Sequence, residues 1–158
     1  AELLPEPPKA RRETPGLALD TWSGERIYPE LLFHRKQFEL IDEVHGISDA
    51  GIGATVRGVD AAGWNGETWT LDIAALDGGL QIAALHGRRM LGGQTLPTAI
   101  AELRHFGAEP VAGPITATAY VRRVGTSDTT TDIVLTDRSG KRYAEMIGVQ
   151  NHALPSGA

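Results

Sequence analysis

The sequence contains no cysteine, which excludes a disulfide framework and any zinc site built on thiolates. It has no apolar run of about 18 residues, the length that a membrane-spanning helix needs, and no signal segment opens it. The five histidines are scattered, and none has the HExxH spacing that places two metal ligands on one helix face. We therefore expect a soluble, cytoplasmic protein without a membrane segment or a metal site.

Positive charge is also scarce, because 15 Lys and Arg stand against 20 Asp and Glu, for a formal net charge of −5. Nucleic-acid binding requires a basic surface, so no nucleic-acid partner is expected. Short basic pairs occur at Arg35–Lys36, Arg88–Arg89 and Arg122–Arg123. Such pairs are typical of solvated helix and strand ends. The alternative is a groove for an anionic carrier arm or an acidic partner.

Length and proline content indicate the domain organisation. A chain of 158 residues with 41% hydrophobic residues is long enough for one domain with a real core. Four of the nine prolines lie in residues 1–20, where they prevent a regular ladder. We predict a proline-rich leader or linker over 1–26, a domain over 27–154 and a tail over 155–158. The leader and the initial Ala favour excision from a longer polypeptide over a free-standing protein.

The hydrophobic pattern predicts an α+β fold with one principal helix and about six antiparallel strands. Residues 73–86 are the helix candidate, and a hairpin turn is predicted at 137–140. Strands are predicted at 37–48, 52–59, 96–107, 114–124, 129–137 and 141–154.

Asp77 is the unusual residue of the predicted helix. Projected at about 100° per residue, it falls at the centre of the apolar stripe, with Gln81 one turn later on the same face. A carboxylate buried there unpaired costs several kcal/mol, whereas one held partly protonated can act as a general acid. The following Gly78 and Gly79 favour another interpretation, in which the helix begins at Gly78 and Asp77 only caps it. A buried structural ion pair is the third alternative.

No histidine or serine is an obvious partner for this carboxylate. His86 falls on the opposite helix face, and we expect it to face solvent in the last turn. His45, His105 and His152 lie in predicted strands as surface or core residues. His34 has aromatic and aliphatic neighbours, which favour a structural role over a functional one. No serine lies in a GxSxG context, so a nucleophilic hydrolase has no support.

Three segments together resemble the C-terminal half of polyketide synthase dehydratase domains: YPELLFHRKQFELIDEVHGISDAGI (28–52), LDGGLQ (76–81) and LPTAIAELRHFG (96–107). The resemblance implies a hotdog fold, in which an antiparallel sheet wraps one long helix. Two such hotdogs form the family's dehydratase domain, with the catalytic cleft between them. This chain would be the second hotdog.

The resemblance also implies residue roles. Asp77 and Gln81 match the family's DxxxQ motif, so Asp77 would be the general acid and Gln81 would orient it. Leu96 and Pro97 match the Leu-Pro segment that lines the substrate tunnel. His34 matches the His of the family's Phe-His-Gly-Pro segment, and we assign it to substrate binding. Here Arg and Lys replace the Gly-Pro, which changes that loop.

The catalytic histidine of the family, in an HxxxGxxxxP motif, does not occur in this chain. We therefore expect half of an active site, completed by a His-bearing hotdog in cis or in trans. The complete enzyme would convert β-hydroxyacyl thioesters on the phosphopantetheine of an acyl carrier protein to α,β-enoyl thioesters, without any other cofactor. A homodimer would supply two Asp and no His. Open alternatives are a non-catalytic scaffold or docking module, and a hotdog thioesterase, isomerase or cyclase.

Overall fold

One helix and six strands make up the structure, a computed structural model that describes residues 17–28, 31–32, 38–63, 72–106 and 113–155. The type and order of these elements agree with the sequence prediction. The helix continues past 86 to Leu91, through Gly87 and four residues of good helix propensity, Arg88, Arg89, Met90 and Leu91. The elements are β1 (Ile41–Ser48), β2 (Gly51–Val56), α1 (Ile73–Leu91), β3 (Thr95–His105), β4 (Ile115–Val124), β5 (Asp128–Thr136) and β6 (Arg142–Ala153).

The strands form a single antiparallel sheet in the order β1-β2-β4-β5-β6-β3. β1 and β2 form a hairpin, and β3 lies at the opposite edge, where it pairs only with β6 among the described strands. α1 contacts all six strands, so the sheet curves around it. In the described part of the chain, no helix has the length and hydropathy of a membrane span.

Small side chains allow the helix to approach the sheet closely. Along β4 the inward positions are Ile115, Ala117 and Ala119, all fully buried, and they alternate with more exposed residues. This period of two is the one that a half-buried strand requires. Ile82 of α1 is also fully buried and belongs to the same core cluster.

Both ends of α1 are capped. At the start, the Asp72 carboxylate accepts a hydrogen bond from the Ala75 backbone N–H at 3.0 Å. At the other end, Gly92 adopts the left-handed conformation with φ of 79° and donates its N–H to the Arg88 carbonyl. Only glycine adopts this conformation at little cost, so Gly92 terminates the helix.

Part of the segment predicted as a leader lies against the sheet. Asp20 exchanges two backbone hydrogen bonds with Ile47 of β1, each 3.0 Å long. Trp22 packs partly buried against the core. The division of the chain into leader, domain and tail stays a prediction, and residues 1–16 and 156–158 of it lie outside the described residues.

Candidate functional site

Asp77 lies inside the helix rather than at its cap. The cap is Asp72, whose carboxylate accepts backbone hydrogen bonds from Ala75 and, at 2.9 Å, from Val59. The interpretation of Asp77 as the N-cap of a helix beginning at Gly78 is therefore wrong. The sequence did contain the correct signal, since Asp72 directly precedes the first apolar residue of the periodic run.

The two glycines after Asp77 reflect close packing. A Cβ on Gly78 would lie 2.9 Å from the Cβ of Val56, and one on Gly79 would lie 2.8 Å from the Met146 methyl carbon. Real Cβ atoms essentially never come this close to another heavy atom. The glycines therefore bring the first turns of α1 onto β2 and β6, which fixes the position of the Asp77 backbone.

Gln81 holds the Asp77 carboxylate, as the sequence predicted. Its Nε2 donates to Asp77 Oδ2 at 3.0 Å and to the Phe38 carbonyl at 2.9 Å. Its Oε1 accepts from the Tyr28 hydroxyl and, at 3.4 Å, from the Leu40 N–H. The side chain is 2% exposed, so its amide is buried with all of its hydrogen-bonding capacity in use.

Tyr28 is a member of this network that the sequence analysis missed. Its hydroxyl donates to Gln81 and accepts the Ile41 N–H at 3.0 Å. Burial raises the pKa of Tyr28 to about 12, so the hydroxyl stays protonated and remains a donor at neutral pH. Only the tertiary structure could identify it, because the two partners are 53 residues apart.

Asp77 and Gln81 open onto a cavity of about 220 Å³ beside the helix. Leu96 and Pro97 of β3 line it as well, so the structure brings together four of the five predicted site residues. The fifth, His34, lies outside the described residues. The other lining residues are mainly aliphatic: Leu31, Leu32, Leu80, Ala84, Arg88, Gln94 and Thr95. An elongated apolar chain with one polar reacting group fits such a lining.

His86 differs from the sequence prediction. It is fully buried rather than solvent-facing, and its Nε2 lies 2.7 Å from the Ser48 carbonyl at the turn after β1. Desolvation by burial lowers the pKa of His86 below 6.5, so the ring is neutral and its Nε2–H donates to that carbonyl. The helix projection was correct about the face. The prediction of solvent exposure was wrong because β1 and β2 also cover this face of the helix.

The remaining described histidines, His45, His105 and His152, are exposed on the strands. His45 lies 2.7 Å from the Thr55 hydroxyl, and His152 lies 2.7 Å from that of Thr98, all in exposed positions. Among the described residues that line the cavity there is no histidine. The described residues also contain no cluster of three or more His, Cys, Asp or Glu arranged to bind a metal ion.

Comparison with solved structures identifies the architecture. The chain superposes on AziG of S. sahachiroi with a TM-score of 0.61 and 20% identity, over 82% of this chain and 98% of that one. It matches a trans-AT PKS dehydratase domain from Brevibacillus brevis with a TM-score of 0.62 and 19% identity, over 77% of this chain. The fold is a hotdog.

The hotdog also occurs in proteins of another activity. Thioesterase HI1161 of Haemophilus influenzae matches with a TM-score of 0.58 and 18% identity, over 73% of this chain and 80% of that one. By contrast, this hotdog spans only 43% of the Brevibacillus brevis dehydratase chain. No family model and no curated protein gives a significant match to the sequence. Dehydratase domains and thioesterases are thus both among its structural neighbours.

Proposed function

We propose that this chain is the second hotdog of a polyketide synthase dehydratase and supplies the acid of its active site. In the reaction, a base removes the α-proton of a β-hydroxyacyl thioester, and Asp77 protonates the β-hydroxyl as the C–O bond breaks. The products are water and an α,β-enoyl thioester. The thioester carbonyl acidifies the α-position, so the reaction requires no further cofactor.

The observation that carries this proposal is the position of Asp77. Its half-buried carboxyl lies on an apolar cavity and is held by an amide that is itself fully hydrogen-bonded. A general acid requires this combination of fixed orientation and access to substrate. The DGGLQ segment that places it also matches the dehydratase motif.

The base would come from a second, His-bearing hotdog, and β3 provides a surface for it. This edge strand is exposed along most of its length, including Ile100 at 43% and Leu103 at 44%. These two residues pair with Val149 and Met146, which are core residues of β6. An exposed apolar edge strand of this length favours pairing with another chain or domain.

The second candidate function is thioester hydrolysis. It is favoured by the structural match to HI1161, because this match covers 80% of the thioesterase chain. Hydrolysis by such a protein would not need a second hotdog to complete the site. In that case a water molecule would attack the thioester carbonyl, and the carboxyl of Asp77 would activate the water as a general base. Isomerase, cyclase and scaffold functions remain as alternatives on the same fold.

The experiment begins with the intact mass of the gene product in its native host. A polypeptide much larger than 16.9 kDa with an upstream HxxxGxxxxP motif would identify the complete enzyme; otherwise, a His-bearing partner is sought and added. Mass spectrometry then follows a β-hydroxyacyl thioester on its carrier protein. Dehydration appears as the loss of one water with the thioester retained, and hydrolysis appears as free thiol.

In the complete enzyme, Asp77→Asn should reduce dehydration by about 100-fold or more, the usual contribution of a general acid. Asp60→Asn is the matched control, because Asp60 is exposed in the loop after β2 and lies away from the cavity. Unchanged turnover in Asp77→Asn would contradict the proposal, and release of free thiol by the wild type would favour the thioesterase alternative.

A further inference from the structure

Arg88 is the side chain that the proposed function leaves without a role. It lines the same cavity as Asp77 and is half-buried. Asp77, Gln81, Ala84 and Arg88 follow the i, i+4, i+7, i+11 spacing of one helix face. At about 1.5 Å per residue, the backbone positions of Asp77 and Arg88 are about 16 Å apart along the axis.

The other buried or half-buried guanidinium groups of the described chain have acidic partners. Arg104 lies 2.7 Å from Glu102, and Arg142 pairs with the buried Glu145. Arg88 has no salt bridge to any described residue. Since desolvating a cation is costly, a half-buried arginine that lines a mainly apolar cavity, with no salt bridge to a described residue, is suited to bind an anion.

The surroundings of Arg88 leave one side open for a ligand. It also lines a neighbouring, more open cavity of about 300 Å³, together with Trp22 and Arg89. Arg89 already has a counter-ion, since it lies 3.3 Å from Asp49. Arg88 therefore lies between the two cavities, about three helical turns from Asp77.

We propose that Arg88 binds an anionic oxygen group of the substrate while the reacting carbons lie at Asp77. Building on the proposed function, two sources have the right chemistry: the phosphate of the phosphopantetheine arm and a carboxylate at the far end of the acyl chain. The separation of about 16 Å along the helix is comparable with the extended length of either chain. Arg88 would then determine both register and specificity.

Three non-hydrolysable probes test this by titration calorimetry on the complete enzyme, the same protein in which Asp77→Asn is tested. S-dodecylpantetheine is neutral, S-dodecylphosphopantetheine carries the phosphate, and S-(11-carboxyundecyl)pantetheine carries a terminal carboxylate on a chain of the same length, long enough to reach from Asp77 to Arg88. We expect one anionic probe to bind about tenfold more tightly than the neutral one, as for one charge-assisted hydrogen-bonded contact. The anionic probe that binds more tightly than the neutral one identifies the source of the anion. The gain should shrink as salt is added.

Two variants decide whether Arg88 is responsible. Arg88→Gln should remove the gain while leaving the neutral probe unaffected, and Arg88→Lys should keep part of it because the charge remains. Arg138→Gln is the control, since Arg138 lies exposed in the β5–β6 turn; it should keep the whole gain.

The outcomes separate this inference from the proposed function. Binding of the neutral probe with no gain for either anion, or a gain that survives in Arg88→Gln, would overturn the role of Arg88 alone. Arg88 would then only offset the partial negative charge of the helix C-terminus. Failure of all three probes to bind would contradict the acyl-thioester function itself, and the anion site with it.

Discussion

At the scale of single residues, Gln81 organises the candidate site. It joins Asp77 on its own helix to Tyr28 and to the backbone at Phe38 and Leu40, before β1. The folded protein loses stability if any of these partners of the buried amide is removed, because the amide atom left without a hydrogen bond cannot reach water. The same contacts that orient the Asp77 carboxyl group therefore also fix one wall of the cavity.

His86 predicts a pH dependence of stability. The unfolded chain takes up a proton on this residue near its ordinary pKa of 6.5, whereas burial lowers the pKa in the folded state. The folded state binds fewer protons, so the contribution of His86 is fully present above about pH 6.5 and is lost as pH falls below it. Urea unfolding between pH 8 and 5 measures this loss.

The control is His86→Gln, whose amide can still donate to the Ser48 carbonyl but does not titrate. We expect this variant to be less stable than the wild type at pH 8, and the difference to narrow as the pH falls. A difference that stays constant over the whole range would show that His86 is not the responsible group.

At the scale of secondary-structure elements, α1 packs closer to the sheet than a helix with a side chain at every position could. Its buried glycines replace side chains on the faces that meet β2 and β6, and Gly87 similarly faces Thr95 of β3. Each glycine costs about 1 kcal/mol of helix propensity relative to alanine. The close approach of α1 to the sheet offsets that cost, because it lets the apolar side chains of the helix pack against the strands.

Gly78 and Gly79 allow a matched test of this packing. Gly78→Ala should destabilise the protein by roughly 1–3 kcal/mol, because the new methyl group meets the stiff, β-branched Val56. Gly79→Ala should cost less, since it chiefly meets the flexible end of Met146, whereas both substitutions gain the same helix propensity. Urea denaturation of both variants measures the difference. A larger loss for Gly79→Ala would contradict this account of the helix–sheet contact.

At the scale of the whole molecule, the two edges of the sheet differ in the contacts that the described residues make with them. The β1 side is followed by the bridge to Asp20, which covers part of that edge. On the other side, β3 is 11 residues long and mostly exposed, and the exposed apolar side chains of Ile100 and Leu103 lie on it. A sheet edge of this kind is a template for a further strand, and the proposed partner hotdog would use it.

This edge predicts association. We expect the isolated chain to self-associate reversibly through β3, and Ile100→Lys and Leu103→Lys to shift it towards monomer, because each places a charge on the apolar edge. Val124→Lys, at an equally exposed position of 42% on β4, should have no effect. Sedimentation velocity distinguishes the species. A wild type that is monomeric at all concentrations, or an equal effect of Val124→Lys, would contradict the role of β3.

Local patterns in the sequence determined the elements and the central pair of the site. Strand alternation and helical period are properties of neighbouring residues, so the six strands and the helix were predicted in the correct order. The contact between Asp77 and Gln81 is likewise local, since residues four apart on a helix share a face. Leu96 and Pro97 were placed at the site by family resemblance, and both line the cavity beside Asp77.

Only the tertiary structure decided which polar groups are buried and what they contact. Tyr28 reaches Gln81 across 53 residues, and His86 reaches Ser48 across 38 residues. Neither contact leaves a periodic signal in the sequence, because hydrogen bonds between distant segments depend on how the sheet curves around the helix. For the same reason, only the folded chain shows that Arg88 lines the cavity of Asp77 without a salt bridge to a described residue.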